Sequence, residues 1–357
     1  MASIHLLTSN TAVQFCRRWR QFLNSAVSGR LALLQRGGVA VALLALLAQA
    51  PQAALAAGRI DICYGAASAA LVPLARQQNY YAAAGLDVEL HRYASGRQAL
   101  EALFAGTCAL ATVAEVPVAH YSLSRSDFRI LAALSQSSNF ERIIVRTDRG
   151  ILAPADLRGK RIAVPRYTTA HYFLDIYLIS NGIAPRDVTL VYLLPDEIAP
   201  AFRRGEVDAA AHWEPHIQML ATEFGARAKV FTAPGLHVGP FLLVGGRDYV
   251  RSNPAAVAGV LRALLQAEQY VRQQPAAARA RVAGIYEVPQ SEIDLIWPMH
   301  DFRVALEQSL PFILENAARW EIGLLPPAQR PPLPNYLDFI DIRGLQAVKP
   351  AAVTLIH

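Results

Sequence analysis

EALFAGTCALATVAEVP at residues 101–117 and PAFRRGEVDAAAHWEP at residues 200–215 are two versions of one pattern. Each stretch begins as an amphipathic helix, passes a glycine, continues as an apolar strand and reaches a glutamate. Gly106 precedes Glu115 by nine positions, and Gly205 precedes Glu214 by the same nine. A helix–strand unit that occurs twice at one spacing predicts two similar α/β lobes within the chain.

Alternating strand and helix patterns extend on both sides of these stretches. In the first half, the predicted strands are 59–66, 86–93 and 108–115, and the helices are 71–85 and 95–106. In the second half, the predicted strands are 159–165, 188–194 and 207–213, and the helices are 169–182 and 198–205. Strands that alternate with helices in this way indicate parallel βαβ units, so the predicted fold class is α/β with two lobes.

The chain after residue 240 indicates how the lobes are connected. A further strand at 240–246 is followed by mainly helical stretches, which we expect to pack back on the first lobe. The chain would then cross between the lobes near 145–150 and near 235–245. The predicted domains are a signal peptide (1–56), the first part of lobe 1 (57–146), lobe 2 (147–236) and the returning, helical part of lobe 1 (237–357).

Residues 1–56 have the composition of an export signal. They contain five arginines and no acidic residue, an apolar core at 39–48, and an Ala-x-Ala cleavage pattern that ends at Ala56. The core is far shorter than the roughly 20 residues that span a bilayer, so we expect cleavage after Ala56, with an uncleaved anchor as the alternative. Without this segment the basic residues number 34 − 5 = 29 against 28 acidic ones, a net charge of +1. This balance does not predict a nucleic-acid partner.

The exported chain keeps two cysteines, Cys63 and Cys108, which lie far apart and form no C-x-x-C motif. We expect both to be buried small apolar side chains, with a bond between them as the alternative. His212 and His216 have the spacing of a zinc pair on a helix, but Pro215 between them disfavours that helix. Because the glycines form no nucleotide or flavin motif either, we predict no metal and no cofactor.

Polar side chains follow several predicted strands at their carboxyl ends. That end of an open α/β sheet faces the ligand crevice, so we expect Glu115 and Glu214 to face one cleft from opposite lobes. The alternative is that each glutamate only holds a neighbouring loop or caps a helix. The other candidate ligand-binding residues are Ser68, Ser95, Gly96, Arg97, Gln98, Thr112, Ser135, Ser137, Arg166, Tyr167, Thr168, Thr169, His171 and Trp213.

AVPRYTTAHYFL at 163–174 joins a strand to a helix in a way that suits an anion. Thr168 or Thr169 is expected to cap the helix, so that hydroxyls and the free N–H groups of the first turn converge on one oxygen-rich group. Arg97 and Arg166 each stand beside a predicted helix start. This placement suits a carboxylate, sulfonate or phosphate, unless both arginines are simply solvated surface charges.

Seven stretches after residue 58 carry a family resemblance: YYAAAGLDVEL, SGRQALEALFAG, ATVAEVPVA, PADLRGKRIAVP, TTAHYFL, FRRGEVDAAAHWEPH and LQAVKPAAV. By these motifs the chain resembles the periplasmic solute-binding proteins of ABC importers for nitrate, sulfonates, taurine and thiamine-pyrimidine precursors. The resemblance implies the type 2 periplasmic-binding-protein fold, in which hinge strands cross between two α/β lobes. It also implies a periplasmic monomer that passes a small solute to the membrane permease of an ABC transporter. TTAHYFL is most similar to the sulfonate and taurine branch, which implies an anionic or zwitterionic solute.

Two other kinds of function remain open for this scaffold. Thiamine-pyrimidine synthases that look similar carry a cysteine-rich motif and a cofactor lysine, whereas Lys160, Lys229 and Lys349 all lie away from the carboxyl ends of predicted strands. Aromatic dehydratases of this fold use an acid in the cleft, which one of the two cleft glutamates would supply. His171 has no nucleophile beside it, so we expect a hydrogen-bonded helix residue there. We therefore predict ligand binding without catalysis, with an enzyme, a sensor or an orphan binding protein as alternatives.

Overall fold

The computed structural model describes residues 58–65 and 67–356. Its strands are β1 (Ile60–Gly65), β2 (Val88–Tyr93), β3 (Leu110–Ala114), β4 (Phe128–Ser137), β5 (Glu141–Arg146), β6 (Arg161–Val164), β7 (Thr189–Tyr192), β8 (Ala209–Trp213), β9 (Ala228–Phe231), β10 (Gly239–Gly246) and β11 (His300–Ala305). Its α-helices are α1 (Leu71–Gln77), α2 (Tyr80–Ala83), α3 (Gly96–Phe104), α4 (Glu115–Ser122), α5 (Thr169–Ser180), α6 (Pro195–Arg204), α7 (His216–Phe224), α8 (Arg247–Ser252), α9 (Pro254–Gln273), α10 (Pro275–Tyr286), α11 (Gln290–Ile296), α12 (Ser309–Leu324) and α13 (Arg343–Val348). Within these ranges no helix combines the length and the apolar character needed to cross a membrane. The predicted signal peptide lies outside the described residues.

The strands form two sheets with matching layouts. The six-stranded sheet has the order β11-β4-β10-β3-β1-β2, and the five-stranded sheet has the order β7-β6-β8-β5-β9. Strand β1 pairs in parallel with β2 and β3, as β6 pairs in parallel with β7 and β8. Strand β10 is antiparallel to β3 and β4, as β5 is antiparallel to β8 and β9. The two repeated sequence stretches thus supply β3 and β8, which occupy equivalent places, and the predicted α/β fold class with two lobes is confirmed.

The chain crosses between the two sheets at 138–140 and at 232–238. The first crossing was predicted later, near 145–150. Strand β5 nevertheless belongs to the second sheet, because it pairs there with β8 and β9. The polar run SQSSN at 135–139, which precedes β5, marks the first crossing. The lobe boundary therefore lies near residue 140, and the rest of the domain division stays a prediction.

Helices cover the sheets through apolar faces that the sequence pattern predicts. In α3, Ala99, Leu100 and Leu103 are buried at helical spacing, and burying each leucine contributes about 1.5–3 kcal/mol. The long helix α9 of the C-terminal part packs against α1, α13 and β11. Strand β11 itself was not predicted. It is a short strand that pairs only with β4 at the edge of the sheet, and its residues alternate weakly between buried and exposed.

A disulfide joins Cys63 in β1 to Cys108, which precedes β3. The two Cα atoms are 5.9 Å apart, and both residues are buried. The expectation of two separate buried thiols was therefore wrong. Strands β1 and β3 are parallel neighbours, with Cys63 opposite Ala111. Local sequence patterns predict the strands but do not say which strands lie side by side.

Candidate functional site

A cavity of about 60 Å³ lies between the two sheets, at the carboxyl ends of their parallel strands. One water needs only about 10–15 Å³, so the cavity has room for a small solute. Ten predicted ligand-binding residues line it: Ser68, Ser95, Gly96, Arg97, Glu115, Ser135, Ser137, Thr168, Thr169 and Trp213. The lining also contains residues that the sequence did not single out: Ala114, Pro117, Phe140, Glu141, Gly239, Pro240 and Phe241.

Two buried glutamates and a buried histidine form one charged cluster at this cavity. Nε2 of His237 lies 2.8 Å from Oε1 of Glu115, and Nδ1 lies 3.2 Å from Oε2 of Glu141. Burial alone would lower the pKa of His237, but the carboxylates of Glu115 and Glu141 outweigh burial and raise that pKa to about 10. Burial would raise the pKa of Glu141, but the charge of His237 and a hydrogen bond from Thr169 lower it. The cluster therefore holds an imidazolium between two carboxylates.

His237 and Glu141 were not among the predicted site residues, and the reason is physical. His237 lies in the second crossing, where no strand or helix periodicity exists to interpret. Glu141 is the first residue of β5, directly after the first crossing. The usable signal was the polar run before β5, which marks a break between lobes and hence a position near the cleft.

Two serine hydroxyls in the cavity lining are held in fixed hydrogen bonds. Oγ of Ser68 lies 2.8 Å from Nε2 of His300, and Nδ1 of His300 lies 2.9 Å from the carbonyl oxygen of Ile296. Ser135 donates its hydroxyl to the carbonyl oxygen of Ser68 at 2.8 Å. His300 is half-buried, and burial lowers its pKa, so the ring is neutral. These contacts fix the direction of both serine hydroxyls.

Two helices begin at the cavity. Ser95 is the N-cap of α3, and its Oγ accepts a 3.3 Å hydrogen bond from the N–H of Gln98. Thr168 occupies the N-cap position of α5, but its side chain does not cap the helix. Its hydroxyl donates instead to the carbonyl oxygen of Pro165 at 2.7 Å, because Tyr167 between them adopts a left-handed backbone with φ of 56°. The first N–H groups of α5 therefore lack the predicted threonine cap.

Arg97 connects the two lobes at the mouth of the cavity. Its Nη1 donates to the carbonyl oxygen of Arg166 at 2.8 Å, and its Nε donates to Glu101 at 2.9 Å. Arg166 itself does not line this cavity. Its guanidinium lies over the rings of Tyr167 and Tyr192, 4.6 and 4.9 Å from their centres.

Three further predicted residues line a neighbouring cavity of about 450 Å³: Gln98, Arg166 and Tyr167. Ser95, Arg97 and Thr168 line both cavities, so the two adjoin. The residues that the sequence placed at one site are thus divided between a small cavity and a wider space next to it.

Glu214 does not face Glu115 across the cleft, so that expectation was wrong. It lines a third cavity, of about 630 Å³, on the far side of Trp213. Oε1 of Glu214 lies 3.1 Å from Nη1 of Arg142, and Oε2 accepts the N–H of Gln218 at 2.9 Å. Burial raises the pKa of Glu214, although the Gln218 N–H and Arg142 act in the opposite direction. Arg142 reaches it because β5 pairs with β8, which the local pattern could not show.

Two further predicted residues, Thr112 and His171, are buried outside the lining of these cavities. Thr112 lies within β3, below the start of α3. Nδ1 of His171 accepts the N–H of Tyr167 at 3.3 Å, and burial, with a contribution from Arg166, lowers its pKa to about 4. A neutral imidazole in this position supports the first turn of α5, as expected for a hydrogen-bonded helix residue.

The paired histidines form no metal centre. The rings of His212 and His216 are 4.4 Å apart, and Nδ1 of His212 is occupied by the N–H of Trp213 at 2.8 Å. Burial holds the pKa of His212 well below its usual value. Throughout 58–65 and 67–356, no group of three or more His, Cys, Asp or Glu side chains is arranged to hold a metal ion.

Tyr167 and helix α5 contact helices of the other lobe and close one side of the cleft. The ring of Tyr167 stacks on His120 at 4.5 Å, and Nε1 of Trp320 donates to Oδ2 of Asp175 at 2.9 Å. Burial raises the pKa of Asp175 to about 6, and the hydrogen bond from Trp320 opposes this rise only in part. Helix α12, which carries Trp320, packs on α4 of the first lobe, so these contacts join the two lobes.

Comparison with known proteins finds relatives in sequence and in structure. Residues 49–278 match the family model described as NMT1/THI5 like. The taurine-binding periplasmic protein of Escherichia coli (strain K12) is 30% identical over 254 residues, which cover 68% of this chain and 72% of that protein.

Two solved structures share the fold. The alkanesulfonate-binding protein SsuA from Xanthomonas axonopodis pv. citri, bound to MOPS, has a TM-score of 0.69 at 22% identity and covers 80% of this chain and 98% of its own. The periplasmic nitrate-binding protein NrtA from Synechocystis PCC 6803 has a TM-score of 0.63 at 16% identity and covers 82% of this chain and 88% of its own. These likenesses confirm the periplasmic-binding-protein fold that the sequence resemblance implied.

Proposed function

Because the chain belongs to the NMT1/THI5-like family, we propose that it is an extracytoplasmic solute-binding protein for a small sulfonate of the taurine type. It captures this solute between its two lobes and delivers it to the permease of an ABC transporter. The family relationship supports the solute-binding role. The taurine-binding relative at 30% identity supports the choice of a sulfonate. The observation in the structure that best supports the proposal is the small cavity enclosed by both lobes.

One end of the cavity suits an anionic group. The first turn of α5 begins at Thr169 with N–H groups that no threonine side chain caps, and α3 begins at Gly96. Free N–H groups and the helix dipole favour an anion at such a position by about 0.3–1 kcal/mol when exposed and up to about 2 kcal/mol when partly buried. Arg97 in the same lining adds a positive charge, which it shares with its ion pair to Glu101. A sulfonate, with three oxygens, is able to accept from several of these donors at once.

The arrangement of the lobes supports capture and release. Within the described part of the chain, the crossings between the sheets are at 138–140 and 232–238, so rotation about these two segments separates the lobes. The contact of Arg97 with the Arg166 carbonyl oxygen and that of Trp320 with Asp175 form only when the lobes are closed. A solute in the cavity would favour this closed state, whose outer surface the permease recognises.

The same proposal covers the protein's location and state. Residues 1–56 act as a cleaved signal peptide, the exported protein is a periplasmic monomer, and it acts on its solute without catalysis, metal or cofactor. The Ala-x-Ala pattern before Ala57 and the periplasmic relatives support this part of the proposal. N-terminal sequencing of protein recovered from the periplasm tests the cleavage.

A thermal unfolding screen tests the proposed solute class. The purified protein is heated with taurine, short alkanesulfonates, nitrate, carboxylates and pyrimidines, one at a time. A true ligand at a hundred times its dissociation constant adds about 2.7 kcal/mol to the free energy of unfolding, which is visible as a clear rise in Tm. We expect this rise for sulfonates. Stabilisation by nitrate, a carboxylate or a pyrimidine, with none by any sulfonate, would overturn the proposal.

A further inference from the structure

We infer that Asp175 and Trp320 form a proton-dependent latch between the lobes: closure on the solute buries Asp175 as a neutral carboxylic acid and takes up a proton from the medium. The protein then holds its solute more tightly in mild acid than at neutral pH. This inference rests on the proposed function, because it requires capture by closure of the lobes, and it adds a means of regulation to that capture.

Asp175 is a buried carboxyl group with a single hydrogen-bond partner. The residue is 1% exposed and lies in α5. Its Oδ2 accepts the indole N–H of Trp320 at 2.9 Å, whereas its Oδ1 has no hydrogen-bond partner in the described part of the chain. Burial raises the pKa of Asp175 to about 6, and the Trp320 hydrogen bond opposes this rise only in part. These surroundings favour the neutral acid, because ionisation would bury an unpaired charge.

The cover over Asp175 comes from the other lobe. Trp320 belongs to α12, which packs on α4 of the first lobe. Its indole also meets the rings of His171 and Tyr172, at 4.9 and 5.3 Å between ring centres, so it lies across one face of α5. Opening of the lobes withdraws the indole and admits water to Asp175. The pKa of the carboxyl group then returns toward its ordinary value of 3.8.

The charged groups near Asp175 do not hold it in the ionised form. Tyr192 in β7 faces Asp175 and has the guanidinium of Arg166 over its ring at 4.9 Å. In α12, Glu321 is paired with His120 of α4 at 2.6 Å. Neither Arg166 nor this pair contributes to the pKa of Asp175. On the opposite side of α5, strands β5 and β8 contribute apolar side chains to the core that the helix covers.

His171 titrates in a similar pH range, but its links lie within the second lobe. Its Nδ1 accepts the N–H of Tyr167 at 3.3 Å, and burial, with a contribution from Arg166, lowers its pKa to about 4. The ring of Tyr192 lies 5.3 Å from the His171 ring. These neighbours stay with His171 when the lobes separate, because they belong to the same lobe. Closure therefore changes the surroundings of Asp175 more than those of His171, and the net result is proton uptake.

The two states of Asp175 fix the direction of the pH effect. Its pKa is about 6 in the closed form and moves toward 3.8 in the open form. A group with the higher pKa in the closed form favours closure fully below pH 3.8, and this advantage is lost as the pH rises through about 6. Solute affinity should therefore fall by about tenfold to fiftyfold between pH 4 and pH 7. A sulfonate stays ionised throughout this range, so the charge of that ligand group does not change.

Calorimetric titration with taurine between pH 4 and pH 7 tests the latch, and repeating it in buffers of different ionisation enthalpy counts the protons taken up. We expect wild type to take up about one proton per taurine at pH 5 and to lose affinity as the pH rises. Asp175→Asn cannot ionise and keeps an oxygen for the Trp320 N–H. This variant is expected to bind taurine at pH 7 about as tightly as wild type does at pH 4, with a constant affinity between.

His171→Asn is the matched control, because it removes an ionisable group from the same face of α5 and keeps an oxygen for the Tyr167 N–H. We expect it to retain the fall in affinity. Trp320→Ala uncovers Asp175 in the closed form and should flatten the pH dependence although the carboxyl group remains.

Wild-type pH dependence in Asp175→Asn, or its loss in His171→Asn, would overturn the latch and leave the proposed function standing. Absence of taurine binding to wild type at every pH would overturn the proposed function itself. If Asp175→Asn does not fold, an unchanged fall in affinity in Trp320→Ala is the result that contradicts the latch.

Discussion

Nε2 of His237 lies 2.8 Å from Oε1 of Glu115, and both side chains are almost completely buried. His237 comes from the second crossing between the lobes, and Glu115 is the first residue of α4, directly after β3 in the first lobe. The other ring nitrogen of His237 contacts Glu141, at the start of β5 in the second lobe. One imidazolium thus ties the connecting segment to both lobes at the cavity.

Replacement of His237 tests how strongly this imidazolium stabilises the fold. His237→Gln leaves two buried carboxylates without a cation, and removal of one partner from a buried ion pair costs about 3–5 kcal/mol. We expect a loss of this size in the free energy of unfolding, measured by urea denaturation at pH 7. A loss below about 1 kcal/mol would show that the carboxylates are not held by this charge.

The same variant gives a prediction about pH. The pKa of His237 is raised from the ordinary 6.5 to about 10 in the folded protein. A raised folded-state pKa contributes stability that is fully present below pH 6.5, declines above it, and is lost as the pH rises through about 10. The difference in unfolding free energy between wild type and His237→Gln should therefore shrink from pH 6.5 to pH 10. A constant difference across this range would contradict the account.

Features of the fold that depend on local pattern could be predicted from the sequence. The repeat was informative because helix, glycine, strand and glutamate all lie within one short stretch, and β3 and β8 do occupy equivalent places. The repeat also led to the wrong prediction that Glu115 and Glu214 face one cleft. That prediction failed because equivalent strand ends do not have equivalent neighbours. Glu115 meets His237 from the second crossing, whereas Glu214 meets Arg142 from the adjacent strand. These partners are set by sheet order and by a loop, which carry no periodic signal.

Asp175 gives a second prediction about stability. Burial raises its pKa from 3.8 to about 6, although the indole of Trp320 lowers it. The stability that protonated Asp175 contributes is therefore fully present below pH 3.8 and lost as the pH rises through about 6. Ionisation of this buried carboxyl group then penalises the closed, folded form. Asp175→Asn removes this penalty and keeps an oxygen for the Trp320 N–H. Relative to the variant, wild type should lose roughly 2–2.5 kcal/mol between pH 4 and pH 7 in urea denaturation, and equal pH dependence of the two proteins would contradict this.

The disulfide between Cys63 and Cys108 closes a loop with a sequence separation of 45. Loop-closure entropy for this length corresponds to about 4 kcal/mol of stabilisation. Cys63→Ala with Cys108→Ala should lower the unfolding free energy by about 2–4 kcal/mol, and reduction of the wild-type protein should have a similar effect. Detection of two free thiols in the native wild-type protein by mass spectrometry after alkylation would show that the bond is absent.

Arg97 and Arg166 are expected to differ in their effect on binding. Arg97→Gln removes a positive charge from the cavity lining and a contact between the lobes, so every sulfonate should bind about 1.5–3 kcal/mol more weakly. Arg166→Gln should change affinity by less than about 0.5 kcal/mol, because its guanidinium lies over two tyrosine rings outside this cavity. Calorimetric titration of both variants tests this. A larger loss of sulfonate affinity in Arg166→Gln than in Arg97→Gln would place the anionic group in the wider neighbouring cavity.

The central claim is that a sulfonate is captured between the two lobes and holds them closed. Small-angle X-ray scattering of the purified protein during titration with taurine tests it most directly. We expect the radius of gyration to fall as taurine is added and to reach a constant value at one taurine per chain. A radius that stays unchanged at saturating taurine, with binding verified by calorimetry on the same sample, would contradict capture by closure of the lobes.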